Sequence, residues 1–175
     1  TEHNLMDLKI FDDVVPYHVM EHMWNFSMRS RFYLGWSDTN EIEKDEPNAY
    51  SEWDISDIES THIMPYFEKC IKHTRWFKNK KISKIILNLV RPDDVHYHHT
   101  HQSKQVLLYY INLDWKDGWY GETIFYNPDN INDIVFTSPY IPGRIILFDG
   151  DIPHAIRPQS SKASKFRISL SLFFN

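Results

Sequence analysis

The sequence of 175 residues is poor in cysteine and in long apolar segments. The single cysteine, Cys70, excludes an internal disulfide and a cysteine-rich zinc site. Apolar runs such as Ile85-Ile86-Leu87 are far shorter than the roughly 20 residues that span a bilayer. The first residues carry neither the basic nor the apolar region of a signal peptide. We therefore expect a soluble, cytoplasmic protein without a membrane partner.

Positive charge is also in the minority. The chain has 19 Lys and Arg against 24 Asp and Glu, so its net charge is −5. This balance makes nucleic acid an unlikely partner, because such proteins present an excess of cations to the phosphates. Hydrophobic residues make up 42% and aromatic residues 15% of the chain, which excludes disorder. The length fits one domain, residues 1–175.

The N-terminal part, residues 1–80, is α-rich. The predicted elements are a strand at Leu8–Phe11, a helix opened by Pro16, and a helix from Ser56 to His73. Ser56 and Glu59 have the spacing of a capping box for that last helix. The charged segment 38–47 between the helices is interpreted as a solvated loop, with a substrate-covering lid as the alternative.

From residue 82 onward, short apolar runs alternate with turn residues, which is typical of strands. Strands are predicted at Ile85–Val90, Gln105–Asn112, Glu122–Tyr126, Ile134–Thr137, Arg144–Asp149 and Phe166–Phe174. Helices followed by strands favour an α+β chain that is mainly β. So many short strands indicate a sandwich or a barrel-like double sheet over residues 82–175.

Histidine is abundant: there are ten, four of them within residues 96–101. On an extended chain His99 and His101 project to the same side, where two imidazoles can bind one metal ion. A third ligand is offered by His154, which follows the predicted strand 144–149 and fits a neighbouring strand of the same sheet. The alternatives are a solvated, histidine-rich loop and an ordinary structural role for His154.

The last predicted strand separates polar from apolar side chains. Its polar face carries Arg167, Ser169 and Ser171, and its apolar face carries Ile168, Leu170 and Leu172. A guanidinium with a hydroxyl two residues further on is suited to grip a carboxylate. The alternative is an exposed sheet face with a surface salt bridge.

Three stretches of the chain resemble, in order and spacing, the prolyl-4-hydroxylase-like family of Fe(II)- and 2-oxoglutarate-dependent oxygenases. They are Leu107-Leu108-Tyr109-Tyr110-Ile111-Asn112 with Trp115, then Gly121-Glu122-Thr123-Ile124-Phe125-Tyr126, and then Pro142-Gly143-Arg144-Ile145-Ile146-Leu147-Phe148 with Pro153-His154 and Arg167-Ile168-Ser169. The resemblance covers about half of the chain, residues 85–174. It implies a double-stranded β-helix, a jelly-roll or cupin-like barrel, supported by N-terminal helices.

The resemblance also implies a role for individual residues. His154 is similar to the distal iron ligand and His99 to the first ligand of the family's His-x-Asp pair. Arg167, Ser169 and Tyr110 are similar to the residues that hold the far carboxylate of 2-oxoglutarate.

The chain departs from the family at His101, which stands where the Asp is expected. In the interpretation that we favour, His101 binds the iron and the site has three histidines, His99, His101 and His154. Alternatively, Glu122 or Asp151 supplies a carboxylate, or the site has lost iron or activity and the domain only binds a ligand. A clamp for a carboxylate at Arg167 supports the first interpretation.

The implied function is a dioxygenase that uses Fe(II), 2-oxoglutarate and O2 to hydroxylate a prolyl, other peptidyl or small-molecule substrate, releasing succinate and CO2. Two alternatives stay open: a three-histidine non-haem iron dioxygenase without 2-oxoglutarate, and a non-catalytic barrel that binds a ligand. Four aromatic residues are candidates for the walls of the substrate mouth or for ordinary packing: Trp115, Trp119, Tyr120 and Tyr126.

Overall fold

A computed structural model of the protein describes residues 7–36, 48–101 and 104–175. These ranges contain the following elements in chain order: β1 (Leu8–Phe11), α1 (Tyr17–Met28), β2 (Tyr33–Trp36), β3 (Asn48–Trp53), α2 (Ile55–Ser60), α3 (Met64–His73), β4 (Ile82–Val90), β5 (Gln105–Tyr110), β6 (Thr123–Asn127), β7 (Asn130–Ser138), β8 (Ile145–Asp149), β9 (His154–Ile156) and β10 (Arg167–Phe174). The strands predicted between residues 82 and 175 are confirmed with small shifts of their ends. None of these helices is long and apolar enough to cross a membrane.

The strands form two antiparallel sheets. The major sheet has seven strands in the order β1-β8-β5-β10-β4-β3-β2, and the minor sheet has three in the order β7-β6-β9. This arrangement confirms the expected double-stranded β-helix, which is mainly β with helices contributed by the N-terminal part.

The major sheet buries both of its faces, as the alternation along β5 shows. Leu107 and Tyr109 belong to the apolar core that also includes α1 and α3 residues. Val106, Leu108 and Tyr110 belong to the other core, between the two sheets. Successive side chains of a strand point to opposite faces, so one strand serves the helix side and the barrel interior at once.

The same alternation settles which way the polar face of β10 points. All eight residues of β10 are buried. Ile168, Leu170 and Leu172 pack in the core that contains the helices. Arg167 and Ser169 therefore face the barrel interior, and the alternative of an exposed sheet face is wrong.

The single helix predicted from Ser56 to His73 is wrong, because the chain forms two helices here. His62, between α2 and α3, has a φ of 64°, a left-handed conformation that no α-helix continues through. The capping box also differs, since Asp54 and Asp57 make the reciprocal bonds instead of Ser56 and Glu59.

The sheet membership of three strands differs from what the sequence indicated. His154 opens β9, which pairs with β6 in the minor sheet, so the expectation that it lies in the same sheet as residues 144–149 is wrong. Strands β2 and β3, which the sequence did not indicate, extend the major sheet beyond β4. The charged segment 38–47 lies outside the described residues.

Candidate metal centre

His99 and His154 are brought together by the backbone. They form an isolated antiparallel bridge in which the amide of His99 donates to the carbonyl of His154 at 3.0 Å and the reverse bond measures 3.1 Å. Directly opposed residues project to the same side of an antiparallel pair. Their ring centroids are accordingly 4.3 Å apart.

The backbone also fixes which nitrogen of these two rings is available. The Nδ1 of His99 lies 3.0 Å from the carbonyl of Tyr97, and the Nδ1 of His154 lies 2.9 Å from the carbonyl of Ile152. A carbonyl oxygen only accepts, so Nδ1 carries the proton and donates in both cases. In the neutral ring this leaves the lone pair on Nε2, which is the state that a metal ligand requires.

His101 completes the group from the segment that precedes β5. Its amide donates to the carbonyl of Gly150 at 2.7 Å, and its Nε2 lies 3.0 Å from the Nε2 of His154. A Cβ at position 150 would overlap the carbonyl oxygen of Lys104 and lie 3.0 Å from the Cβ of His101. Glycine at this position therefore permits the close approach that seats His101.

The three side chains form a potential metal-binding group, with one candidate nitrogen from each ring and all three within 4.8 Å of one another. Burial lowers the pKa of His101 to about 3, with the nearby His99 adding to the effect. Burial also lowers the pKa of His154 well below its usual value. Neutral imidazoles are the protonation state that coordinates a transition metal, so the donor set fits such an ion.

No carboxylate joins this group among the residues that the structure describes. Glu122 instead lies 3.7 Å from the guanidinium of Arg157. Asp151 is exposed at the turn before β9. Neither of the two carboxylates considered from the sequence is therefore placed as a ligand.

Arg167 lies on the wall of the same cavity and is fully buried. Its Nε donates to the carbonyl of Gly121 at 2.7 Å, its Nη2 to the hydroxyl of Thr123 at 3.0 Å, and its Nη1 to the hydroxyl of Ser169 at 3.4 Å. Within the described ranges no carboxylate forms an ion pair with it. Burial disfavours the cation and lowers the pKa of Arg167, while the nearby Tyr110, Tyr140 and Glu122 act in the opposite direction. The donor set fits an anionic ligand.

Tyr110 supports this arginine through Thr123. The Tyr110 hydroxyl lies 2.7 Å from the hydroxyl of Thr123 and 3.2 Å from that of Ser138. The guanidinium carbon of Arg167 lies 5.2 Å from the centre of the Tyr110 ring. Sequence reasoning missed Thr123, although its place directly after Gly121-Glu122 on an inward position of β6 was a usable signal.

The cavity that these groups share is small. It is lined by the three histidines, Arg167 and Ser169 among others, and its volume is about 30 Å³. Such a volume holds about one water molecule. A larger ligand would enter only if lining side chains such as Phe173 or Phe148 moved.

Of the four aromatic candidates for the substrate mouth, two line a surface cleft and two do not. Trp115 and Tyr120 line a separate cleft of about 410 Å³ that also includes Glu122. Trp119 is buried and packs edge-on against Trp115 at 5.2 Å. Tyr126 lies beside His98, with ring centroids 5.9 Å apart, and lines neither this cleft nor the histidine cavity.

Comparison with protein-family models and with curated proteins gives no match. Solved structures do match. They include a prolyl hydroxylase from Trichoplax adhaerens in complex with a hypoxia inducible factor peptide fragment, at 16% identity and a TM-score of 0.68 over 98% of this chain and 84% of that one. A prolyl-4-hydroxylase from Pseudomonas putida matches at 14% identity and a TM-score of 0.71 over 97% and 92%.

A third similar structure is the non-haem α-ketoglutarate-dependent epimerase SnoN of nogalamycin biosynthesis, at 10% identity and a TM-score of 0.71 over 99% of this chain and 79% of that one. At such identities the likeness establishes the fold. The resemblance to prolyl-4-hydroxylase-like oxygenases expected from the sequence is confirmed at that level.

Proposed function

We propose that this chain is an Fe(II)- and 2-oxoglutarate-dependent oxygenase that hydroxylates a peptidyl or small-molecule substrate. The observation that carries the proposal is the convergence on a single cavity of three imidazoles and one buried arginine that forms no ion pair within the described ranges. The imidazoles provide ligands for a metal ion, and the arginine provides a counter-charge for a carboxylate.

His99, His101 and His154 would hold the iron. Bound there, iron and 2-oxoglutarate would supply the activation of O2 for hydroxylation, with succinate and CO2 as products. The bonds from Nδ1 of His99 and His154 to backbone carbonyls orient the two rings and would leave Nε2 of each to bind the metal.

Arg167 and Ser169 would bind the far carboxylate of 2-oxoglutarate. Three of the five guanidinium N–H groups donate to Gly121, Thr123 and Ser169, which leaves donors for an incoming carboxylate. Tyr110 would act beside them, since its hydroxyl bonds the same Thr123 that accepts from Arg167. The apolar walls Val106, Leu108 and Phe148 would exclude water from the site.

One observation favours a second candidate, a three-histidine iron dioxygenase that uses no 2-oxoglutarate. The cavity of about 30 Å³ is far smaller than a five-carbon dicarboxylate. The buried charge of Arg167 favours the first candidate. 2-Oxoglutarate would bring a carboxylate to this cation, whereas an iron site without an anionic co-substrate would not.

The test is to measure succinate and CO2 formed from 2-oxoglutarate by the protein with Fe(II) and O2, with and without candidate substrates. We expect slow, iron-dependent succinate release that His154→Ala and Arg167→Gln both abolish. Stoichiometric iron binding without any succinate would favour the second candidate. Absence of iron binding would overturn both and favour a non-catalytic barrel.

A further inference from the structure

A strongly basic segment lies outside the histidine site. Residues 69–84 contain seven of the 19 Lys and Arg of the chain and no Asp or Glu. The remaining 12 cations are outnumbered by 24 carboxylates. An otherwise acidic protein therefore carries one strongly cationic segment, and a concentrated charge raises the local concentration of anions.

This segment forms the rim of a cleft of about 630 Å³. The cations that line it are Lys72, Arg75, Lys78 and Lys80, and one carboxylate, Glu68, is also present. Its apolar lining consists of Met64, Ile71, Phe77, Ile82 and Phe174. The volume is in the range of about 300–1,000 Å³ that small-ligand sites occupy.

The four rim cations are available to a ligand. All four side chains are exposed, and none forms an ion pair within residues 7–36, 48–101 and 104–175. Lys72 lies in the last turn of α3, where it stabilises the helix dipole. Arg75, Lys78 and Lys80 lie beyond the end of that helix and have no such role.

The barrel holds the cleft in place. The side-chain carbonyl of Gln105, the first residue of β5, accepts from the amides of Lys78 and Asn79 at 2.8 and 2.7 Å. Its amide group donates to the carbonyl of Trp76 at 3.0 Å. Phe77 packs edge-on against Phe174 of β10, with centroids 5.1 Å apart. The rim and the floor are thus tied to two strands of the major sheet.

We propose that this cleft binds a small amphiphilic anion, an alkyl chain that carries a carboxylate or phosphate group. The apolar lining would bury the chain and the cationic rim would bind the head group. A purely polyanionic ligand would use the rim but leave the apolar floor without a function. The cleft shares no lining residue with the histidine cavity, so the proposal is independent of the enzymatic one.

The experiment is isothermal titration calorimetry of the protein with decanoate, below its micelle concentration. Hexanoate, octanoate and decanol serve as comparison ligands. We expect saturable 1:1 binding that strengthens by up to roughly fourfold for each added CH₂, as burial of the chain requires. Decanol, which lacks the charge, should bind at least about tenfold more weakly than decanoate.

The variant Lys72→Glu/Lys78→Glu should weaken decanoate binding by about tenfold or more. The matched control Lys116→Glu/Lys162→Glu makes the same change of net charge at exposed residues outside the cleft and should bind like the wild type. Equal loss in both variants, or affinity independent of chain length, would overturn the proposal. Binding that survives Lys72→Glu/Lys78→Glu but disappears in Arg167→Gln would place decanoate in the barrel and would overturn it as well.

Discussion

Tyr109 and Tyr110 are neighbours on β5, both fully buried, and yet they lie in different surroundings. Tyr109 packs against Phe67 on the helix side, and its hydroxyl has no hydrogen-bond partner among the residues that the structure describes. Tyr110 faces the barrel interior, where its hydroxyl bonds Thr123 and Ser138. The helix side of the major sheet is a packing surface, whereas the barrel side is a polar network built around Arg167. Four predictions test this division.

The largest effect on stability is expected on the helix side of β10. Leu170 is fully buried and pairs with Leu87 and Tyr109 across the neighbouring strands. Leu170→Ala should lower the free energy of unfolding by about 2–5 kcal/mol, through lost burial and the cavity that remains. Urea denaturation of the metal-free protein measures the change.

The adjacent variant, Ser169→Ala on the barrel side, is the matched control. It should cost less than about 1 kcal/mol, because Ser169 accepts only a long bond of 3.4 Å from Arg167. If the two variants lowered the free energy of unfolding equally, the helix side of β10 would contribute no more to stability than its barrel side, which would contradict the account.

Arg167→Met should separate ligand binding from stability. Loss of the guanidinium should weaken 2-oxoglutarate binding by about 100-fold, as expected for two hydrogen bonds to a charged group. The metal-free protein should change its stability less than its affinity, since removing a buried, desolvated cation offsets part of the cost of leaving the Gly121 carbonyl and the Thr123 hydroxyl without their donor. Calorimetry and thermal unfolding check the two parts.

A large loss of stability in Arg167→Met, with 2-oxoglutarate binding unchanged, would make Arg167 a structural residue. The variant Arg167→Lys keeps the charge without the planar fork, so it should recover only part of the affinity.

A fall in pH should destabilise the metal-free protein, because two histidines in the barrel interior are buried in their neutral form. The pKa of His101 is lowered to about 3 and that of His154 is lowered well below 6.5, so both stay neutral when folded. The unfolded chain takes up these protons as pH falls through its own histidine pKa of about 6.5. Stability is therefore retained above that pH and is lost as pH falls from about 7 toward 4, by up to about 1.4 kcal/mol per pH unit for each histidine.

The variant His101→Asn should flatten this dependence, because it removes one of the two titrating groups. Urea denaturation at pH 7, 6 and 5 provides the slopes. Identical slopes for the variant and the wild type would show that His101 does not titrate on unfolding.

The smallest effects are expected for the two tyrosines. Tyr110→Phe should cost about 1 kcal/mol, because Thr123 and Ser138 lose a buried partner. Tyr109→Phe should be neutral or stabilising, because it removes a buried hydroxyl that bonds no described residue. Thermal unfolding measures both variants, and a larger drop in melting temperature for Tyr109→Phe than for Tyr110→Phe would contradict the account.

The sequence predicted the features that depend on local pattern. The strands around Tyr110 and Arg167 follow from short apolar runs bounded by turn residues, and the polar face of β10 follows from the alternation of its side chains. Apolar residues keep a helical spacing across the helix break at His62, but Pro65 was a usable signal for it, because proline is disfavoured inside a helix and here lies in the first turn of α3.

Features that depend on contacts between distant parts of the chain could not be predicted from the sequence. The pairing of β9 with β6 is a long-range choice that no local pattern encodes. The same holds for Gly150, which looks like an ordinary turn glycine until His101 is placed beside it. The basic cleft is similar, since it combines a visible charge run with apolar side chains from α3, β4 and β10.

The most direct test of the central claim is anaerobic titration of the protein with Fe(II), followed by 2-oxoglutarate. The account predicts one Fe(II) per chain, lost in His99→Ala, His101→Ala and His154→Ala alike, and one 2-oxoglutarate whose binding requires both the iron and Arg167. Full iron binding by His101→Ala, or 2-oxoglutarate binding unaffected by Arg167→Met, would contradict it.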